Sequence, residues 1–178
     1  MTTPGTNPDL AARRGTVTRQ DDGRQRLEFR RSWADPIEDV WGALTEPDRL
    51  ARWIGRYDGA RGPGGTGTFF MTHEEGEQTG EPMTVVECDP PRRLVVEWTQ
   101  QGTEDWRVDL DLWSEGGRTH LSFVQVFPAD AGVADFAMGW HWYLDKLDAE
   151  VGGRPVPSDW DTFAADVAAP VYGMSAGS

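Results

Sequence analysis

Apolar and polar residues alternate along five stretches in the middle of the chain: 67–73, 82–88, 93–100, 105–113 and 118–127. In the fourth stretch, Trp106, Val108 and Leu110 alternate with the charged residues Arg107 and Asp109. A period of two is typical of β-strands that bury one face, and the short polar segments between the stretches are typical of turns. The pattern therefore predicts an antiparallel meander whose apolar face covers another element.

Two further extended runs precede the meander. They flank residues 21–23, whose sequence Asp-Asp-Gly is typical of a hairpin turn. In the second run, Leu27, Phe29 and Trp33 lie on one face with a period of two, and Arg31 interrupts that face. The sequence therefore predicts a hairpin whose second strand is mostly apolar on one side.

Two short helices are predicted to follow this hairpin. Asp35 is a favourable N-cap residue, and Pro36 suits the first helical position. Helical spacing places four apolar residues on one face of the first helix: Ile37, Val40, Trp41 and Leu44. Pro47 opens the second helix, which is predicted to continue to Ile54.

A long helix is predicted at 131–151, after the meander. Its apolar stripe comprises Phe136, Trp140, Tyr143, Leu144, Leu147 and Val151. Further on, Ser158 can cap a short amphipathic tail helix around Trp160, Phe163 and Val167, which packs either on the domain or on a second copy of the chain. These elements divide the chain into a disordered lead-in at 1–14, one domain at 15–153 and a C-terminal tail at 154–178.

Similarity to a known family extends over most of the chain, from Arg26 to Gly153. The segments that carry it are 40–47, 50–53, 64–69 and 88–94, then Trp98, Gly139, Trp140, Leu144 and Leu147. Through these segments the chain resembles the bacterial AHSA-type branch, related to the activators of the heat-shock-protein-90 ATPase, within the START and Bet v I (SRPBCC) superfamily. The resemblance implies an α+β helix-grip fold, in which a curved antiparallel sheet surrounds a long C-terminal helix and two short helices follow the first strands.

The resemblance also implies a cavity between the sheet and the long helix, which this superfamily uses to hold hydrophobic small molecules. Other members are polyketide cyclases or chaperone activators, so the fold alone does not select a function. Related chains often carry a His near the end of the last strand, where this chain has Gln125. The extra N-terminal domain of the eukaryotic activators has no counterpart in this sequence, which disfavours a chaperone partner.

Composition narrows the classes of partner. A formal net charge of −13 disfavours nucleic acid and anionic membranes, because both repel an acidic surface. No apolar run reaches the ~20 residues of a membrane span and no signal-peptide core is visible, so a cytoplasmic protein is expected. The one cysteine, Cys88, can form neither an internal disulfide nor a Cys-type zinc site and is expected to be unreactive. Neither a cofactor nor a metal site is predicted.

Nine Trp and seven Phe supply aromatic surface for a core or a pocket wall. The candidate pocket-lining residues are Trp41, Trp53, Phe69, Met71, His73, Met83, Val85, Val96, Trp98, Trp106, Val108, Phe123, Gln125, Phe136, Trp140, Tyr143 and Leu144. Gln125, Tyr143 and Thr99 can orient a carbonyl or hydroxyl group of a ligand. His73 and His141 either anchor a ligand or act as a general base, or have structural roles only.

Three functions stay open at this point. The favoured one is a protein that binds an apolar or aromatic small molecule, since no catalytic constellation is evident. The second is a cyclase, hydratase or hydrolase in which His73, His141 or Tyr143 moves a proton within the same pocket. The third is an interaction module that stimulates a chaperone. Glu87 and Glu97 fall on the polar face and are expected to be solvated rather than to form a catalytic carboxylate pair.

Overall fold

A computed structural model of the chain describes residues 12–72, 79–99, 104–153 and 159–174, in which helices pack against one antiparallel sheet. The strands are β1 (Thr16–Arg19), β2 (Gln25–Trp33), β3 (Arg56–Gly59), β4 (Thr66–Phe70), β5 (Glu81–Asp89), β6 (Arg93–Trp98), β7 (Trp106–Glu115) and β8 (Arg118–Phe127). The helices of the described residues are α1 (Ile37–Thr45), α2 (Pro47–Trp53), α3 (Val133–Gly152) and α4 (Trp160–Tyr172).

The strand order is β1-β2-β8-β7-β6-β5-β4-β3, and every neighbouring pair is antiparallel. Strands β5 to β8 follow one another as the predicted meander. The register aligns Leu94 with Leu110 and Leu110 with Phe123, so their side chains share the concave, apolar face. The pairing of β2 with β8 brings the first hairpin beside the last strand. The predicted α+β helix-grip architecture is confirmed.

Strand β3 was not predicted from the sequence. Its residues, Arg-Tyr-Asp-Gly, show no apolar alternation, and most of them are exposed. The strand forms because its backbone pairs with β4, where Tyr57 lies opposite Phe69. Strand β4 ends at Phe70, so it is shorter than the predicted stretch, and residue His73 lies outside the described residues.

Helices α1 and α2 lie where the sequence predicts them, but the N-cap of α1 differs. Pro36, not Asp35, is the cap residue, and no side chain caps the helix. Asp35 instead offers its carbonyl oxygen to the Thr119 hydroxyl at 2.7 Å, which ties the start of α1 to β8. The indole N–H of buried Trp53 donates to the carbonyl of Ala43 at 2.8 Å and holds α2 against α1.

Helix α3 buries a second side in addition to the predicted apolar stripe. The stripe residues Trp140, Leu144 and Leu147 face the sheet and are buried as expected. On another side of the helix, His141, Asp145 and Asp148 are buried as well. These polar side chains lie against β2 and the segment before β1.

Arg31 of β2 is the partner of these buried carboxylates. Its guanidinium lies 3.2 Å from Asp145 Oδ1 and 3.2 Å from Asp148 Oδ2. Arg13 reaches the same group, with its Nε 3.0 Å from Asp145 Oδ1, and its carbonyl accepts from Arg31 at 2.7 Å. The Trp33 indole N–H donates to Asp148 at 3.1 Å. Arg13, which the sequence analysis placed in a disordered lead-in, is therefore held against the domain.

Helix α4 is the predicted tail helix, and it packs on its own chain. Ser158 lies outside the described residues, and Asp159 is the N-cap, accepting from the Thr162 amide at 2.9 Å. Phe163 packs edge-on against His141 and against Trp142 of α3, with ring centroids 5.3 and 5.1 Å apart. No helix in the described part of the chain is long and apolar enough to span a membrane.

Candidate functional site

A cavity of about 270 Å³ lies between the concave face of the sheet, α1, α2 and α3. The lining residues are Trp41, Leu44, Thr45, Leu50, Trp53, Ile54, Tyr57, Arg61, Phe69, Met83, Val85, Cys88, Leu94, Val96, Trp98, Val108, Leu110, Phe123, Trp140 and Leu144. Nearly all of these side chains are apolar or aromatic. A concave apolar space with few polar groups is the common form of a small-molecule site.

The cavity is deep at one end and open at the other. Val108 and Leu144, both 1% exposed, form its floor. Leu50 and Tyr57 are only partly buried, and Arg61 is exposed. The mouth therefore lies where α2 approaches the hairpin of β3 and β4.

Three hydrogen-bond donors of the wall are already satisfied inside the protein. The Trp140 indole N–H donates to Gln125 Oε1 at 2.8 Å, and the Trp53 indole N–H donates to Ala43 as described above. The Thr45 hydroxyl donates to the carbonyl of Trp41 at 2.8 Å. With these donors used internally, the wall presents mainly carbon atoms to an occupant.

Aromatic rings form one continuous part of the wall. Phe69 meets Trp98 edge-on at 5.4 Å between centroids, and Trp98 lies 6.1 Å from Trp140. Phe123 is 4.7 Å from Trp140. Such edge-to-face and tilted contacts stabilise the rings in fixed positions. The wall is therefore largely preformed.

A second cavity, of about 280 Å³, lies beyond Trp98 and Trp140, which line both spaces. Its other described lining residues are Met71, Glu81, Trp106, Asp135, Phe136, Gly139 and Tyr143. The two indoles thus stand between the two cavities.

Most of the predicted pocket-lining residues line the first cavity: Trp41, Trp53, Phe69, Met83, Val85, Val96, Trp98, Val108, Phe123, Trp140 and Leu144. Four others line the second cavity instead: Met71, Trp106, Phe136 and Tyr143. Gln125 lines neither, because it lies beneath the Trp140 indole and is 1% exposed. Thr99 is exposed and lines neither cavity. His73 lies outside the described residues.

His141 does not line either cavity, so the predicted pairing with His73 around a ligand has no support from its position. The Tyr172 hydroxyl accepts from the Gly15 amide at 3.1 Å and shares a hydrogen bond with His141 Nδ1 at 2.8 Å. The other ring nitrogen, Nε2, lies 3.5 Å from Asp145 Oδ2. Burial lowers the pKa of His141 to about 4, against the attraction of Asp145, so the ring is neutral at pH 7. These contacts of His141 lie within the fold, away from both cavities.

A β-bulge brings Cys88 into the wall. Met83 and Val85 point into the cavity with the usual period of two, but the register shifts between Val85 and Glu87. The next lining residue of β5 is therefore Cys88, three positions after Val85. Burial, and then the charge of Asp89, raise the pKa of its thiol, which disfavours the reactive thiolate.

The predicted solvent-facing groups lie outside the cavity. Glu87 is half exposed and pairs with Arg93 at 2.6 Å, and Glu97 is partly buried; neither lines a cavity. His120 stacks on Trp113 on the outer face of the sheet. Among the described residues, no group of three or more His, Cys, Asp or Glu is arranged to hold a metal ion.

Several lining residues were not among the sequence candidates: Leu44, Thr45, Leu50, Ile54, Tyr57, Arg61, Cys88, Leu94 and Leu110. Leu94 and Leu110 lie on the apolar strand faces and Leu44 on the apolar helix face, so the alternation pattern contained their signal. Tyr57 and Arg61 belong to the unpredicted β3 and its turn. The sequence around Tyr57 and Arg61 has no apolar alternation that would predict a position in the cavity wall.

Comparisons with known proteins agree with the fold. The family described as "Activator of Hsp90 ATPase homolog 1-like protein" matches residues 34–152. No curated protein matches the chain in sequence.

Three solved structures illustrate the likeness. The protein encoded by gene BPP1335 from Bordetella parapertussis is 27% identical, with a TM-score of 0.68 over 93% of this chain and 92% of that one. CalU16 from Micromonospora echinospora is 26% identical, with a TM-score of 0.62 over 77% of this chain and 83% of that one. EF2215 from Enterococcus faecalis, a conserved protein of unknown function, is 18% identical, with a TM-score of 0.67 over 90% of this chain and 92% of that one, and shows the fold alone. With the family match spanning most of the domain, from α1 to the end of α3, this chain belongs to the Activator of Hsp90 ATPase homolog 1-like family.

Proposed function

We propose that this protein binds an apolar or aromatic small molecule in the cavity between the sheet and α3. The observation that carries the proposal is the 270 Å³ space itself, whose lining is almost wholly apolar. Small-molecule sites typically measure about 300–1,000 Å³, so this one suits a compact ligand. The superfamily resemblance supports the same use of the space.

Burial of apolar surface supplies the driving force. Each 100 Å² of apolar ligand surface removed from water favours binding by about 2.5 kcal/mol, before the entropic costs of association. The rings of Trp98, Trp140 and Phe123 hold one another in place, so little ordering is needed when a ligand enters. A flat aromatic molecule can pack on these rings without leaving a buried polar group unpaired.

The polar groups of the described lining favour binding over proton transfer. Apart from the indole N–H groups, they are Thr45, Tyr57, Arg61 and Cys88, and no carboxylate or imidazole is among the described residues that line this space. The Tyr57 hydroxyl donates to the carbonyl of Ala60 at 2.7 Å, and burial raises its pKa. A general base near neutral pH is therefore lacking among these residues.

Filling the floor of the cavity tests the proposal. In Val108→Phe a ring occupies the space above Val108, so the affinity for the neutral dye phenylnaphthylamine is expected to fall at least about tenfold. The free energy of unfolding should change little, because the ring enters a void. Dye fluorescence titration and urea unfolding give the two quantities.

Val167→Phe is the matched control. Val167 is a fully buried residue of α4 and lines neither cavity, so the larger ring is expected to cost about 1–3 kcal/mol of stability without weakening the binding of the dye. Failure of the wild-type protein to bind the dye, or equal affinities in wild type and Val108→Phe, would contradict the proposal.

A further inference from the structure

The mouth of the cavity carries the one cationic side chain among its described lining residues, Arg61. Arg61 lies in the turn between β3 and β4, close enough to Tyr57 that its charge acts on that phenol. The Tyr57 hydrogen is used on Ala60, so the guanidinium is the charged group that offers N–H donors at the entrance. Deeper in the cavity the described wall offers no charge.

Arg61 differs from most arginines of this acidic chain. Arg93 contacts three carboxylates, and Arg49 contacts two. Within the described residues, Arg61 forms no ion pair, although the chain has 30 acidic residues against 17 basic ones. An arginine left without a carboxylate beside an apolar cavity is positioned for an anion from outside the protein.

We infer that the ligand is an amphipathic anion, with an apolar or aromatic body against the tryptophans and a carboxylate, sulfonate or phosphate group on Arg61. This inference rests on the proposed function and specifies the ligand class for the same site. The guanidinium can meet such a group with two parallel hydrogen bonds. The net charge of −13 does not prevent this contact, because salt screens distant charges beyond ~8 Å.

A pair of dyes tests the inference. Anilinonaphthalene sulfonate and phenylnaphthylamine share the same aromatic body, and only the first carries an anionic group. The dissociation constants of both dyes are measured by fluorescence titration, and their ratio reports the preference for the anion. In Arg61→Gln this ratio is expected to shift about tenfold against the anionic dye, the size of one lost charge-assisted hydrogen bond.

Two further variants make the result specific. Arg61→Lys keeps the charge and is expected to retain most of the preference for the anion. Arg19→Gln removes the same charge from β1, at the opposite edge of the sheet, and should leave the ratio at its wild-type value. Folding of each variant is checked by circular dichroism.

The outcomes separate this inference from the proposed function. A ratio that shifts by less than about threefold in Arg61→Gln, or by the same factor in Arg19→Gln, overturns the role of Arg61. If phenylnaphthylamine binds the wild type and only the ratio fails to shift, the proposal that a ligand binds in the cavity stands. The inference that Arg61 binds an anionic group of that ligand is then wrong. If neither dye binds the wild type, both fail.

Discussion

Two neighbouring sides of α3 are built in opposite ways. On one side, Trp140 and Leu144 face an apolar space that the protein leaves partly unfilled. On the other, His141 and Asp145, each the next residue along the chain, are buried among charged and hydrogen-bonding partners. The cavity and the ionic cluster therefore lie on adjacent faces of the same turns of the helix.

The difference shows how the protein can keep an unfilled cavity. A space that the protein's own side chains do not fill gives up packing contacts within the fold, and the helix beside it gains few directional contacts there. The cluster of Arg13, Arg31, Asp145 and Asp148 supplies directional contacts on the other side. We infer that this cluster sets the position of α3, so that the cavity walls need not pack against each other.

Removal of Arg31 should give the largest effect. Arg31→Met removes the guanidinium that contacts both Asp145 and Asp148, and taking one partner from a buried charge pair is costly. We expect a loss of about 3–5 kcal/mol in the free energy of unfolding, measured with urea.

The matched control is an exposed ion pair. Arg92 lies 3.4 Å from Asp89, with side chains 69% and 61% exposed, so Arg92→Met should cost less than about 1 kcal/mol. Similar losses in the two variants would show that the buried cluster does not hold α3.

A fall in pH should lower the free energy of unfolding because of His141, which is buried beside the ionic cluster. Its pKa is about 4 in the folded protein and 6.5 in a model compound, so the unfolded chain takes up the proton first as the pH falls. The resulting stability is present above pH 6.5 and is lost as the pH falls towards 4. The expected loss is on the order of 3 kcal/mol.

His141→Gln isolates this contribution. The neighbours that face the ring from other elements, Arg13, Arg31 and Tyr172, remain in the variant, as does Asp145 on α3 itself. Unfolding measured in urea between pH 7 and pH 4 should therefore vary less steeply in the variant than in the wild type. Identical pH dependence in both proteins would rule out His141 as the titrating group.

The cavity side was largely predictable from the sequence, because period-two alternation decides which strand residues face inward. The alternation predicts that Val96, Trp98 and Val108 face inward, and all three lie in the wall of the first cavity. Cys88 was not, since a bulge changes the period, and bulges leave little trace in a short sequence. Arg61 was missed because its strand pairs through the backbone and has no apolar pattern.

The cluster side was not predictable in the same way. Charged residues such as Asp145 and Asp148 on an amphipathic helix usually face water. They are buried here because Arg31, 114 positions away from Asp145 in the chain, lies opposite them. The sequence contained one sign of this arrangement, the interruption of an apolar strand face by Arg31.

The cysteine in the cavity wall gives the most direct test that a ligand binds inside. Cys88 is the one cysteine of the chain, so alkylation by a maleimide reports on that wall alone. Saturating phenylnaphthylamine is expected to slow the reaction at least about threefold. When the dye concentration is varied, the reaction rate should fall with the same midpoint at which the dye's fluorescence rises. In Cys88→Ser carrying Ser114→Cys on the exposed end of β7, the dye should not change the rate. If the dye fluoresces on the wild-type protein while Cys88 reacts at its unliganded rate, the ligand lies elsewhere and the central claim is wrong.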